Sequence, residues 1–398
     1  MLHQLILRIL TGVIILTCAI GILPGQIVSP TADKSSGLVS QGNGPQRPSG
    51  PGPNGPPQPF LEAKRIAQPK DDAELAAAIK QLAGELASTG RFSGSVLLAV
   101  DGKPIVDSAW GDADRSQKVA NTSEIAYDVG SVGKLFTQIA ILQLMDAGKL
   151  KLDDPFGKYV TSYPNQEVAE KVTIRQLLLH TSGMGDFLEA ITPKTDLSSL
   201  RQLKDFLPLF ADKPLEFPPG SQPHYSNSGY VVLGLVIEAV SGEDYYEYVA
   251  GHILKPADMV HSGFFDRTHL PATVAHSYDN GRDVTNMHPV VGSPAGGLQA
   301  SAGDILRLVQ AVDRGKLLTK PSVKVLRDLV PRPPTAPPPA DETKLEAYGI
   351  AGGGPGVSAQ LSVDPAGHYT RIVLCNGKPP MAMSMVATIN EWIKQMAK

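Results

Sequence analysis

A serine and a lysine lie three residues apart in the segment GSVGKLFTQIAILQL, where polar residues give way to an apolar run. Helical spacing places Ser131 and Lys134 on one face, so the lysine amine can reach the serine hydroxyl. A serine hydroxyl becomes a good nucleophile only when a base removes its proton. Lysine has an ordinary pKa of about 10.4, so acting as that base requires surroundings that lower it. The spacing indicates a nucleophile and its activator, although a serine that only caps a helix gives the same pattern.

A second polar group precedes another apolar run, in PHYSNSGYVVLGLVIEAVSG. Tyr225 and Asn227 lie in the loop before the expected helix. Neither Tyr-x-Asn nor Ser-x-x-Lys is specific alone. Their order, their separation and their flanking sequences are informative together.

With these flanking sequences, the chain resembles the serine β-lactamase and penicillin-binding superfamily, in particular its class C β-lactamase-like branch. The resemblance covers residues 71 to 398 and implies an α/β (α+β) fold, with an antiparallel sheet flanked by helices and an inserted helical subdomain. It implies acyl transfer but no single substrate, because the branch includes esterases, D-aminopeptidases and D,D-carboxypeptidases. Seven blocks carry it, in family order: FSGSVLLAVDGKPI, DVGSVGKLFTQIAILQL, GKLKLDDP, TIRQLLLHTSGM, FPPGSQPHYSNSGYVVLGLVIEAVSG, SPAGGLQASAGDILRL and GGGPGVSAQLSVDP.

The resemblance also implies a role for each matching residue. Ser131 corresponds to the acylated nucleophile, Lys134 to its amine partner and Tyr225 to a proton relay. Asn227 corresponds to a ligand of the substrate amide. Lysine and tyrosine both have ordinary pKa values near 10, so the residues alone leave open which of them accepts the serine proton.

The third motif of the family differs in this chain. The family places Lys-Thr-Gly or His-x-Gly on the strand that lines the cleft, whereas YGIAGGGPG places Ile350, Ala351 and Gly352 there. Losing the cation counts against substrates that carry a carboxylate, such as penicillins. The glycines still allow a substrate to approach the backbone closely. We therefore expect Gly352 and Gly353 to bind substrate, with the Gly353 and Ser131 N–H groups forming an oxyanion hole.

Hydrophobic periodicity predicts that both ends of the domain supply one sheet, with helices between them. Two strand-like runs flank the turn dipeptide Asp101-Gly102, and two more flank Pro365-Ala366-Gly367. Apolar residues at helical spacing predict helices near both ends of the domain, over 75–86 and 385–396. Four central helical segments are expected, at 131–147, 173–180, 198–211 and 228–241.

The N-terminal region reads as an export signal followed by a linker. His3 and Arg8 precede an apolar stretch of signal-peptide length, which predicts a signal peptide or N-terminal membrane anchor over 1–24. The Pro/Gly-rich composition that follows predicts a linker over 25–70, and the hydrolase-like domain is expected over 71–398. These features predict an exported protein, periplasmic or secreted.

Two local features are expected to be structural. Residues 331–341, PRPPTAPPPAD, are expected to form a surface loop. If signal cleavage removes Cys18, Cys375 is the remaining thiol and no disulfide can form within the chain.

Composition and motif spacing argue against several other functions. The net charge of −3 and the lack of a basic run argue against nucleic-acid binding. The histidines show neither HxH nor HExxH spacing, no glycine pattern suits a nucleotide, and no GxSxG surrounds Ser131. We expect no metal and no cofactor, and we expect His180 to bond backbone rather than act in catalysis.

Two classes of function remain open. The chain is either a serine hydrolase acting on a small ester, amide or peptide, or a catalytically silent relative. The silent relative would bind cell-wall peptide or a protein partner, and the missing cation at Ile350 makes this alternative reasonable. The presence of Ser131, Lys134, Tyr225 and Asn227 favours the hydrolase.

Overall fold

The computed structural model describes residues 57–192, 194–329, 344–345, 348–364 and 368–397. The predicted signal or anchor over 1–24, most of the linker, the Pro-rich stretch 331–341 and the turn Pro365–Gly367 lie outside the described residues.

A five-stranded antiparallel sheet is built from both ends of the domain, as predicted. Its strands are β1 (Gly94–Val100), β2 (Lys103–Trp110), β3 (Tyr348–Gly354), β4 (Val357–Val363) and β5 (Tyr369–Cys375). The spatial order is β2-β1-β5-β4-β3, so β1 from the N-terminal part pairs with β5 from the C-terminal part. Strand β3 is therefore at one edge of the sheet.

The turn between β1 and β2 has the conformation expected of its sequence. Asp101 and Gly102 both have positive φ, 49° and 74°. Positive φ at both central residues characterises the type I′ turn, whose twist matches that of the adjoining strands.

Helices cover both faces of the sheet. The α-helices are α1 (Asp72–Ser88), α2 (Lys134–Asp146), α3 (Gln166–Lys171), α4 (Ile174–Leu178), α5 (Asn227–Ser241), α6 (Tyr245–Val249), α7 (Ala302–Asp313), α8 (Lys320–Asp328) and α9 (Met381–Met396). A π-helical turn spans Ala250–Leu254, and 3₁₀ helices span Leu61–Arg65, Gly130–Gly133, Phe156–Lys158, Phe187–Ala190, Leu197–Ser199, Leu203–Leu209 and Thr285–Met287. Short strands outside the sheet are Asp112–Asp114, Val119–Ala120, Tyr127–Asp128, Tyr278–Asp279, Arg282–Asp283 and Gln299–Ala300.

The alternation of side chains along β1 divides the core into two clusters. Val96 and Leu98 point toward α1 and α9 and pack in the smaller cluster. Leu97 and Ala99 point to the opposite face and pack in the larger cluster with α2, α5 and α7. Helix α2 is apolar almost all round and buried along most of its length, as a central helix should be. Its N-terminus is thereby fixed against the sheet.

The central helical segments agree with the predictions in position but differ in detail. The segment predicted over 131–147 begins with the 3₁₀ turn Gly130–Gly133 before α2. The segment predicted over 198–211 consists of two 3₁₀ helices instead of one α-helix. Pro208 lies inside the second of them, and proline lacks the N–H that an α-helix interior needs.

The predicted linker, residues 25–70, extends too far: its last ten residues include packed structure. Leu61–Arg65 form a 3₁₀ helix, and Ala63 and Ile66 are buried in the smaller core cluster. The Phe60 N–H also donates to the Thr388 hydroxyl on α9, at 2.9 Å. The packed domain therefore begins near residue 60, because apolar side chains after the Pro/Gly-rich part cover α1 and α9.

Within the part of the chain that the structure describes, no helix combines the length and the apolarity that a membrane span requires.

Candidate active site

The structure brings Ser131, Lys134 and Tyr225 together at the N-terminal end of α2. The Ser131 hydroxyl lies 2.7 Å from the Tyr225 hydroxyl and 3.2 Å from the Lys134 amine. Ser131 belongs to the 3₁₀ turn before α2, and Tyr225 immediately precedes Ser226, which caps α5. Two helix starts that are far apart in sequence thus meet at one hydroxyl.

A buried carboxylate shapes the turn that carries Ser131. Asp128 accepts the Gly130 N–H at 2.7 Å and an Arg267 N–H at 2.5 Å. Gly130 has φ of +50°, a conformation that glycine adopts readily. Burial opposes ionisation of Asp128, but the nearby guanidinium holds the pKa of that carboxyl below its ordinary value. The ion pair therefore stays charged and anchors the backbone just before the nucleophile.

Lys134 lies in a buried pocket of oxygen atoms. Besides Ser131, its amine donates to the Asn227 side-chain oxygen at 2.7 Å and to the Ala295 carbonyl at 2.5 Å. The residue is only 2% exposed. The two shorter hydrogen bonds go to acceptors that cannot give up a proton. When the amine is neutral, its two N–H groups can satisfy these acceptors, and its lone pair then faces the Ser131 hydroxyl.

The surroundings shift the pKa values of the lysine and the tyrosine in opposite directions. Burial lowers the pKa of Lys134 from 10.5 to about 7, although the Asp186 carboxylate acts in the opposite direction. Tyr225 is 43% exposed as a residue, but burial removes solvent from its hydroxyl and raises the pKa of Tyr225 above the ordinary value. The hydrogen bond with Ser131 only partly offsets that rise. At neutral pH the amine can accept a proton, whereas the phenol stays protonated.

Asn227 lies in the site, but its side-chain oxygen faces Lys134 instead of the cleft. The residue is 7% exposed, and its side-chain N–H donates to Asp186 at 2.7 Å. The same Asp186 oxygen accepts the Asn227 backbone N–H at 3.0 Å. Sequence reasoning did not identify Asp186, because nothing local in HTSGMGD indicates a partner 41 positions away.

The glycines of β3 lie directly against the nucleophile turn. A Cβ on Gly352 would be 2.0 Å from the Val129 carbonyl oxygen and 3.0 Å from the Ser131 nitrogen. A Cβ on Gly130 would be 2.8 Å from the Gly353 nitrogen. The backbone of Gly352 and Gly353 thus lies close beside that of Ser131, a proximity that the predicted oxyanion hole needs.

Ile350 occupies the same face of β3 as Gly352, two residues earlier. It is half-buried, pairs with Leu361 across the sheet and packs against the larger core cluster. Among the described residues, the one cationic side chain hydrogen-bonded to Ser131, Tyr225 or Asn227 is Lys134. The cation expected at position 350 has no substitute in those contacts.

His180 supports the tyrosine and bonds backbone, as predicted. Its ring stacks on Tyr225 at 4.4 Å and on Tyr230 at 5.1 Å between ring centroids. Its Nδ1 accepts the Ser226 N–H at 3.2 Å, and its carbonyl accepts the His224 N–H. These contacts hold the loop that presents the Tyr225 hydroxyl to Ser131.

The described residues contain no group of three or more His, Cys, Asp or Glu side chains arranged to hold a metal ion. Cys375 is buried and free.

Comparison with known proteins supports the resemblance seen in the motifs. PbpX of Bacillus subtilis (strain 168) is 34% identical over 239 residues, which are 58% of this chain and 57% of PbpX. The chain thus spans little more than half the length of that relative. The structure of a penicillin binding protein from Bacillus halodurans is 32% identical, with a TM-score of 0.67 over 77% of this chain and 98% of that one.

A third likeness concerns the fold alone. The D-amino acid amidase of Ochrobactrum anthropi SV3 is 20% identical, with a TM-score of 0.66 over 82% of this chain and 100% of that one. A model of the Beta-lactamase family matches residues 75–393. Because that match spans most of the chain and agrees with the site around Ser131, the chain belongs to the β-lactamase family of serine hydrolases.

Proposed function

We propose that this protein is an exported serine hydrolase that cleaves neutral esters or small amides through an acyl-enzyme on Ser131, without a cofactor. The observation that carries the proposal is the position of the Lys134 amine. It lies 3.2 Å from the Ser131 hydroxyl, with a pKa lowered by burial to about 7. A general base is most effective when its pKa lies near the operating pH. Export rests on the predicted N-terminal signal and is part of the proposal.

In the first step the Ser131 oxygen attacks the carbonyl carbon while the Lys134 amine takes the hydroxyl proton. The carbonyl oxygen becomes an oxyanion, which the N–H groups of Ser131 and Gly353 stabilise. Collapse of this intermediate breaks the bond to the leaving group. The Tyr225 phenol, 2.7 Å from the serine oxygen, gives the departing atom its proton and regains one from the Lys134 ammonium.

In the second step a water molecule attacks the acyl-enzyme. Lys134 accepts a proton from this water, and the same two N–H groups hold the second oxyanion. Breaking the ester bond returns the proton to the Ser131 oxygen and releases a carboxylic acid. After the two steps Ser131, Lys134 and Tyr225 are back in their starting protonation states, and the net reaction is hydrolysis.

The preference for neutral substrates rests on Ile350. A cation at that position would make a charge-assisted hydrogen bond with a substrate carboxylate, worth about 1.5–3 kcal/mol. Its absence corresponds to roughly one to two powers of ten in rate. We therefore expect penicillins and cephalosporins to be hydrolysed poorly or to acylate the enzyme slowly.

The experiment compares kcat/KM for a short-chain aryl ester, a D-amino acid amide and a cephalosporin, using the wild type and Ser131→Ala. We expect ester turnover in the wild type, little cephalosporin hydrolysis, and no turnover in the variant. Efficient cephalosporin hydrolysis would overturn the substrate class. If the wild type turns over none of the three, the catalytically silent alternative is favoured.

A further inference from the structure

Asp186 is connected to the nucleophile through two side chains. Its carboxylate accepts the side-chain N–H of Asn227 at 2.7 Å, and the oxygen of that amide accepts from Lys134 at 2.7 Å. Lys134 in turn reaches Ser131 at 3.2 Å. Asp186 therefore lies at the far end of a chain of hydrogen bonds that ends at the serine hydroxyl.

This chain of hydrogen bonds has a fixed polarity. An asparagine side chain has one acceptor end and one donor end. Reversing the Asn227 amide would point its oxygen at the Asp186 carboxylate, which is repulsive, and its NH₂ group at the Lys134 amine, which is repulsive when that amine is protonated. Asp186 therefore determines that the oxygen of Asn227 faces Lys134.

Asp186 is itself held firmly. Its other carboxylate oxygen accepts the Leu188 N–H at 2.9 Å and caps the 3₁₀ helix Phe187–Ala190. The oxygen that faces Asn227 also accepts that residue's backbone N–H, at 3.0 Å. With three N–H donors on two oxygens, the carboxylate has little freedom to turn away.

We propose that Asp186 is a positioning residue that acts through Asn227 to hold the Lys134 amine against Ser131 and adds a negative charge behind it. The inference rests on the proposed hydrolase function, and it assigns Asn227 a role toward Lys134, whereas the family resemblance implies a role toward substrate. The negative charge raises the pKa of Lys134 against the lowering effect of burial. Asp186 thus limits how far burial can depress the basicity of the amine.

Other titratable groups face this site as well. Tyr225 and Tyr230 place their rings 4.8 and 5.2 Å from the Lys134 amine. Asp186 also lines a small cavity together with Glu189, Lys213 and Glu216. Asp186 is the carboxylate that acts on the pKa of Lys134.

The test removes the Asp186 charge in two ways. Asp186→Asn is nearly the same size and can still accept the Asn227 N–H. Asp186→Ser also removes the charge and retains a hydroxyl that can cap the 3₁₀ helix. The matched control is Glu189→Gln, which removes an exposed carboxylate from the same helix and cavity lining. Thermal melting identifies which variants fold.

The first readout is the titration of Lys134 in protein carrying ¹³C-labelled lysine, with the Lys134 resonance assigned by its absence in Lys134→Ala. Two unit charges about 7 Å apart in a medium of effective dielectric constant about 20 shift a pKa by roughly one to two units. We expect the Lys134 pKa to fall by that order in Asp186→Asn and Asp186→Ser and to stay unchanged in Glu189→Gln.

The second readout is the pH dependence of kcat/KM for an aryl ester. The Lys134 amine must be neutral to accept the serine proton. The rise of kcat/KM on the acid side of the pH profile should therefore move to lower pH in both Asp186 variants. A lower rate with an unmoved rise and an unmoved Lys134 titration would mean that Asp186 is merely structural, and would overturn the inference. An equal shift in Glu189→Gln would also overturn it. If the wild type has no activity, the proposed function fails, while the titration still decides the role of Asp186.

Discussion

The contact between β3 and the nucleophile turn can be tested with one methyl group. In Gly352→Ala the new Cβ would meet the Val129 carbonyl oxygen at 2.0 Å and the Ser131 nitrogen at 3.0 Å. Both atoms belong to backbone, so no side-chain rotation can relieve the contact. Restoring an ordinary contact of 3.4 Å to the carbonyl requires a movement of about 1.4 Å.

The size of the effect follows from that movement. Displacing a catalytic geometry by about 1 Å can lower the rate about 10²-fold, and losing one oxyanion donor costs about 10²–10³-fold. Separating β3 from the turn does both, so we expect kcat/KM for an aryl ester to fall by at least about 10²-fold. Overpacking should also lower the free energy of unfolding by about 1–3 kcal/mol.

The same strand offers a matched control, Gly349→Ala. A Cβ there would meet one atom within 4 Å, the Leu361 carbonyl oxygen at 3.9 Å, which is ordinary contact. This variant should retain its activity and its melting temperature. The assays are ester hydrolysis, the rate of labelling by a fluorophosphonate probe, and thermal unfolding. If Gly352→Ala is labelled within a few-fold of the wild-type rate, the placement of β3 against the nucleophile is refuted.

Three further predictions concern the base, the substrate and the domain boundary. Because Lys134 must be neutral to act and its pKa is about 7, ester kcat/KM should rise with pH through about 7 and then level off; a rate independent of pH between 5 and 9 would exclude this base. Ile350→His should shift the ratio of kcat/KM toward carboxylate-bearing substrates, whereas an unchanged ratio of cephalosporin to neutral ester would show that position 350 does not face substrate. A protein beginning at residue 57 should melt like the full chain, while one beginning at residue 71 loses the buried Ile66 and should be less stable by about 1.5–3 kcal/mol; equal melting temperatures would contradict the packing of this segment.

The elements with strong local signals were predictable from the sequence. Strand-like apolar runs identified β1 and β5, and Asp101-Gly102 identified the turn after β1. The largely apolar run YVVLGLVIEAV within α5 was equally clear. The start of α5 at Asn227 follows from Ser226, whose side chain caps the helix by accepting the Gly229 N–H. In each case the information lies within a few residues of the chain.

The long-range contacts of the site were not predictable in this way. The Ser131–Lys134 pair could be found from spacing, whereas Tyr-x-Asn was weak alone and the role of Tyr225 came from the family resemblance. Asp186 and Arg267 were missed, because their partners lie 41 and 139 positions away. Burial of both partners, which gives these contacts their strength, is a property of the folded chain. The sequence likewise left the choice of base open, and the pocket around Lys134 now favours the amine.

The most direct measurement of the central claim is intact-mass analysis of the protein during turnover of a short-chain aryl ester. We expect the mass to rise by one acyl group, the adduct to map to the peptide that contains Ser131, and the adduct to decay as product forms. Ser131→Ala should show no added mass while its melting temperature stays close to that of the wild type. An adduct that persists in that variant, or product formed by the wild type with no acyl group on Ser131, would contradict the account.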